Sequence, residues 1–206
     1  TNEGMPRFYN ERGQETLGDF NFSSSNINFL KYSGTLDPTD VGTLTNTFRY
    51  KNFSLSANIN YEFGAVTRLR SITNTDDYSA FPRELTQRWK KPGDEKHTDI
   101  PRLPTSYAFD QYGADNLINA YYAYGASTAR IVSTDFIRLK EISMEYTVSK
   151  TLLRRTPLKN LAVKLQAQNL MLLYSDARLR GDDPEYMYSS SVTAPKKLIL
   201  TLRVGL

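Results

Sequence analysis

Residues Phe53–Phe63 alternate between apolar and polar positions without a break. Phe53, Leu55, Ala57, Ile59, Tyr61 and Phe63 share one parity; Ser54, Ser56, Asn58, Asn60 and Glu62 share the other. A β-strand points successive side chains to opposite faces, so this run predicts a strand with one apolar and one polar face. It is about as long as the ten residues a tilted strand needs to cross a bilayer. Aromatic residues at both ends of its apolar face match the girdles of a membrane barrel.

The pattern recurs. Leu44, Phe48 and Tyr50 oppose Thr45, Thr47 and Arg49, with Asn46 as a polar interruption of the apolar face. The two-residue link Lys51-Asn52 then joins this run to the next as an antiparallel hairpin, the second strand running from Phe53 to about residue 70. A third strand is expected over 135–148, a fourth over 161–173 and a fifth over 197–206. In the third, the apolar parity changes between Lys140 and Glu141, with Ile137 and Leu139 odd but Ile142, Met144, Tyr146 and Val148 even. One extra residue does this, so a β-bulge is predicted at Lys140-Glu141. It keeps Arg138, Lys140, Glu141 and Glu145 on the polar side.

Between these runs lie polar stretches. Residues 1–43 read as loop with a short strand in 21–29, and 71–134 as one long loop. That loop is expected to hold a short helix over 82–89 with Pro82 at its first turn, and another over 116–124. The links alternate in length: short at 51–52, long at 71–134, shorter at 149–160, longer at 171–194. Outer-membrane barrels have short periplasmic turns and long extracellular loops. The expected division is therefore an extracellular loop over 1–43, a barrel hairpin over 44–70, an extracellular loop over 71–134, and three C-terminal barrel strands over 135–206. The last part includes one periplasmic turn and one extracellular loop.

Composition narrows the chemistry. The 206 residues contain 14 Tyr and 10 Phe against one Trp, which suits strands and interfaces. No stretch is apolar enough for a membrane helix, which leaves barrel strands open. Cysteine is absent, so thiolate metal sites, disulfides and Cys nucleophiles are excluded. His97 is the one histidine, in a polar loop, so no histidine-based triad or metal cluster is expected. The net charge of +4 comes without any long basic run, and no nucleic-acid surface is expected. The loop-like start at Thr1 has neither a charged n-region nor an apolar h-region, so no signal peptide is expected within these residues, which read as a processed start or a piece of a larger chain. Asp182, Asp183 and Glu185 read as a Pro-containing turn in preference to a calcium site. No metal, cofactor or catalytic residue is expected.

Two groups of residues are candidates for binding. Trp89, Tyr107, Tyr112, Tyr121, Tyr122 and Tyr124 in the long loop suit contact with a substrate or a partner, or packing of the loop on itself. Arg49, Asn58, Asn60, Glu62, Arg138, Lys140, Glu145, Lys164 and Arg203 are expected to face the interior of a barrel, lining a path or pairing across strands.

Several stretches resemble the C-terminal region of SusC/RagA-type TonB-dependent outer-membrane transporters. They are residues 42–55 (GTLTNTFRYKNFSL), 88–94 (RWKKPGD), 135–143 (DFIRLKEIS), 168–170 (QNL) and 181–185 (GDDPE). Their order and spacing are also similar to that family. The resemblance implies an all-β fold, namely about the last five strands of a 22-stranded antiparallel transmembrane barrel with long extracellular loops. It further implies import of oligosaccharides or peptides across the bacterial outer membrane with a SusD-like surface lipoprotein. TonB would act through an N-terminal part not included in these residues. The competing reading is a soluble all-β carbohydrate- or protein-binding module, whose strands would alternate in the same way but bury their apolar faces between two sheets.

Overall fold

The computed structural model describes residues 1, 3–10, 12–17, 27, 30–69, 83–187 and 193–206. The strand expected within 21–29 and the Pro82 start of the first loop helix lie outside the described residues. In chain order the elements are β1 (Phe8–Tyr9), β2 (Glu15–Thr16), β3 (Asp40–Tyr50), β4 (Phe53–Phe63) and β5 (Val66–Arg68). Helices α1 (Ser106–Tyr112) and α2 (Ala114–Ala126) follow, then β6 (Ile131–Ser133) and β7 (Phe136–Thr147). Helix α3 (Lys150–Leu153), β8 (Asn160–Ser175) and β9 (Lys197–Gly205) complete the chain. Short 3-10 turns stand at Arg83–Gln87, Asp94–Lys96, Thr128–Arg130, Ala177–Leu179 and Pro184–Tyr186. The chain divides into two compact units, residues 1–33 with 68–132 and residues 34–67 with 133–206.

The second unit is a five-stranded antiparallel sheet in the order β3-β4-β7-β8-β9. Its register carries the alternation from strand to strand. Leu44 stands opposite Ile59, Phe48 opposite Leu55 and Tyr50 opposite Phe53. Ala57 meets Ile142, and Leu55 meets Met144. Met144 meets Leu165, and Leu165 meets Leu200. One face is therefore apolar across all five strands. The hairpin at Lys51-Asn52 is tight, with Lys51 at φ 52°. Gly42 lies beneath the ring of its cross-strand partner Tyr61, where a Cβ would collide with the phenol.

The expected hairpin strands differ at their outer ends. The first begins at Asp40 instead of 44, and the second stops at Phe63 instead of 70. The stop has a local cause: Gly64 takes φ +87°, and its N–H is claimed by the Asp135 carboxylate at 2.7 Å. Strand structure resumes only over Val66–Arg68.

The bulge predicted in the third strand is present. Asn58 pairs with Glu141 and Ile59 with Leu139, so Lys140 is the extra residue. The irregularity grows on β8. Leu139 pairs with Met171 and Glu141 with Gln168, which leaves Asn169 and Leu170 facing Lys140 alone. Asn169 holds φ +54°, and its side-chain amide donates to the Pro195 carbonyl at 3.1 Å. Asn is among the few non-glycine residues that enter the left-handed region readily.

The first unit has its own small cores. Met5, Ala108, Leu117 and Tyr121 form one, and Leu85, Ile100 and Tyr124 another. Gly4, at φ +74°, lies against the indole of Trp89, leaving no room for a Cβ. Thr105 caps α1 by accepting from the Ala108 N–H at 3.3 Å. The helix expected over 116–124 is the centre of α2, and the long loop is thus a packed unit of helices and turns.

Asn169→Gly should leave stability within a few tenths of a kcal/mol of wild type. Asn169→Val should cost about 1–3 kcal/mol, because a β-branched residue strains the left-handed backbone. Thermal unfolding of the two variants checks this, and equal effects would contradict the backbone argument.

Candidate functional site

The polar face of the sheet collects the residues expected from alternation. In the register, Arg49 lies opposite Ser54, Thr45 opposite Asn58 and Thr43 opposite Asn60. Asn58 donates to Thr45 at 3.0 Å, and Thr47 and Ser56 share a hydrogen bond of 3.0 Å. Glu62 lies opposite Val41 and Phe136 at one end of the sheet. Glu145 faces Lys164 in the ladder and is bridged by Arg203 at 3.3 Å. Glu141 accepts from Gln166 at 2.9 Å and Gln168 at 3.0 Å. Arg49, Asn58, Asn60, Glu62, Arg138, Lys140, Glu145, Lys164 and Arg203 thus belong to one face, and Arg203 pairs with Glu145 across it.

One ion cluster reaches beyond the ladder. Arg138, with a side chain only 7% exposed, pairs with Asp183 and also approaches Glu185, its Nε lying 3.2 Å from Oε2. Lys140 Nζ lies 3.0 Å from the other Glu185 oxygen. Asp183 also accepts from the Glu185 N–H at 3.1 Å, capping the short turn begun by Pro184. Two of the three clustered carboxylates noted in the sequence are therefore occupied by strand cations and a turn N–H. Among the described residues no three His, Cys, Asp or Glu side chains gather as a metal site would need.

The first unit contains an open cleft of about 660 Å³. Phe8, Trp89, Ile100 and Tyr124 contribute apolar lining, while Lys31 and Asp99 lie among its charged residues. The Trp89 indole N–H donates to Glu95 at 3.1 Å. The Glu95 backbone N–H and this indole hold the Glu95 carboxyl below its usual range. The six candidate aromatics fall into different environments. Tyr121 and Tyr124 are buried, Trp89 nearly so, and Tyr112 is half-buried with its hydroxyl donating to Glu3. Tyr107 and Tyr122 are well exposed. Burial pushes the Tyr121 hydroxyl up to about 12; it donates to the Arg102 carbonyl. Burial likewise raises Tyr124, although Arg130 opposes the shift.

Arg130 holds this unit together in a way the sequence did not signal. It is 2% exposed, and its guanidinium meets both oxygens of Glu84 at 2.8 and 2.7 Å. It also stands over the Tyr124 ring, 5.5 Å from its centroid. The two partners are 46 residues apart, and no periodic pattern links them.

No protein-family model and no curated protein matches the chain. Solved structures do. Over 98% of its length the chain is similar to a chain of the RagAB peptide transporter, at 19% identity and a TM-score of 0.61, covering 21% of that chain. It is similar over 94% to a chain of the RagAB peptide importer in the open-open state, at 18% identity and a TM-score of 0.59, covering 19% of that chain. The closed-closed state gives 95%, 19% identity, a TM-score of 0.58 and 20% of that chain. This fold is a fragment of an antiparallel β-barrel. The chain spans about a fifth of the length of the structures it matches.

Glu84→Gln should leave the buried Arg130 guanidinium without its carboxylate and cost about 3–5 kcal/mol of local stability. Hydrogen exchange in 83–89 and 127–132 should speed up accordingly while exchange in β7 and β8 stays unchanged. Unaltered protection in the first two segments would contradict the assigned role.

Proposed function

We propose that this chain is the C-terminal barrel portion of a TonB-dependent outer-membrane transporter that imports peptides or oligosaccharides with a SusD-like surface lipoprotein. The carrying observation is the apolar face of the sheet. Phe48, Leu55, Met144, Leu198, Leu200 and Leu202 are all at least 45% exposed on it, Leu198 reaching 74%. A large apolar side chain is worth about 1.5–3 kcal/mol when removed from water, and patches of this breadth mark an interface or a membrane. Strand length fits the second. Eleven residues in β4 rise about 34 Å along the strand, or about 24 Å across a membrane at a 45° tilt, close to the apolar band of such barrels. Phe53 and Tyr146 pack with ring centroids 4.7 Å apart at one edge of the face, and Tyr61 and Phe63 at 5.4 Å at the other, as girdles would.

On this reading the polar face lines the barrel interior, and lipid meets the apolar one. The first unit, with its cleft and exposed Tyr107 and Tyr122, lies outside the cell and meets substrate or the lipoprotein. TonB engages a part of the transporter outside this chain. Peptides are favoured over oligosaccharides because the matched structures are peptide importers. The full-length protein should fractionate with the outer membrane and run with heat-modifiable mobility. Deleting its gene should abolish uptake of a labelled peptide. Recovery of the protein in the soluble fraction would overturn the reading and favour a binding module.

Facing makes a sharper prediction. Ile59→Lys should destabilise the barrel by about 2–4 kcal/mol if the residue is near mid-depth, whereas Asn58→Lys should be tolerated. Heat-modifiable gel mobility of the two full-length variants distinguishes them, and equal effects would refute the assignment of faces. Direction is tested by tagging. A tag beside Gly93 should label intact cells, and one at Lys51-Asn52 only permeabilised cells; the reverse pattern would invert the topology.

A further inference from the structure

We propose that residues 176–187 form a strap latched by charge to the polar face of the sheet at the β7 bulge, and that releasing this latch uncovers that face. The strap has a defined backbone. Asp176 caps its first turn, accepting from the Arg178 N–H at 2.9 Å, and reaches the Ser133 N–H at 3.3 Å. Leu179 and Pro184 are buried beneath it. Arg180 and Gly181 both take positive φ, at 52° and 95°, which turns the chain back so that Asp183 and Glu185 point at the strand.

What holds the far half of the strap is ionic. Asp183 and Glu185 both meet Arg138, and Glu185 also meets Lys140. Two cations two residues apart on one strand share a face and can grip two carboxylates two residues apart on the strap. The bulge then sets Glu141 beside them on the same face, where it would compete for the same cations. Gln166 and Gln168 on β8 satisfy Glu141 instead. The polar face is thus sorted: amides take the strand carboxylate, and cations are left for the strap. The Arg138–Asp183 pair is desolvated, with side chains 7% and 9% exposed, so losing one partner strands a buried charge; Lys140–Glu185 is partly exposed, and losing one partner there costs less. The latch itself rests on the contacts alone. That the face it covers is a transport passage rests on the function proposed above.

The test uses the full-length protein in detergent with a C-terminal tag, treated with proteinase K. The rate of cutting within 176–187 is read from the tagged fragment, and heat-modifiable mobility is recorded for every variant. Asp183→Asn keeps an acceptor for the Glu185 N–H but leaves the buried Arg138 without its main carboxylate, and should speed cutting about tenfold or more. Lys140→Gln should speed it about threefold. Arg138→Lys, which keeps the charge facing both carboxylates, should cut more slowly than Arg138→Gln. A wild-type rate in Asp183→Asn, or Arg138→Lys cutting as fast as Arg138→Gln, would overturn the latch. Latch behaviour as expected in a protein without heat-modifiable mobility would support the strap and count against the barrel reading, so the two are separable.

Discussion

A β-strand cannot slip by one residue without turning every following side chain to the other face. Everything in the sheet unit depends on that constraint. Five strands keep their apolar residues on one side only because the ladder stays in register from β3 to β9. At the one place where the pattern in β7 breaks, the backbone absorbs an extra residue at Lys140. The neighbouring strand absorbs two, with Asn169 in a left-handed conformation that costs Asn little. At this point the inserted residues rise from none on β4 to one on β7 and two on β8, and Leu173 adds a further one on β8 between the partners of Ile137 and Arg138. Such graded bulging bends and twists a sheet, which is what closing a barrel requires.

The same accommodation shapes the chemistry of the polar face. Without the bulge, either Ile142 and Met144 or Arg138 and Lys140 would face the wrong side. With it, four charged residues crowd onto a short length of one strand. Their crowding is relieved by partners from three directions: glutamines on β8, Arg203 on β9, and the carboxylates of residues 176–187. A strand defect that preserves facing thereby becomes the anchor point of a surface segment.

The other unit is governed by a different interaction. Its small cores are joined by specific polar contacts. The buried Arg130–Glu84 pair and the Tyr121 hydroxyl bonded to the Arg102 carbonyl tie distant parts of the segment together. Buried pairs of this kind add little net stability over an apolar core, but losing one partner is costly, so they favour a single arrangement. A loop with a fixed shape can present exposed side chains such as Tyr107 and Tyr122 in constant positions.

Alternation alone determined most of the sheet unit: the five strands, the side each residue takes, the tight Lys51-Asn52 link and the bulge at Lys140. A period of two is local, so it is written in consecutive residues and can be read there. Strand ends were less legible, because β4 stops where Gly64 turns and Asp135 captures its N–H, a contact across 71 residues. The helix around residues 116–124 was visible; the burial of Tyr121 and Tyr124 within that loop, against the exposure of Tyr107 and Tyr122, was not. Nor were the Glu84–Arg130 pair, the left-handed Asn169, or the grip of Arg138 and Lys140 on Asp183 and Glu185. These join residues far apart in the chain through single side chains, and no local spacing encodes such a meeting. Only the tertiary structure, by fixing where the segments return, decided which charges would find each other.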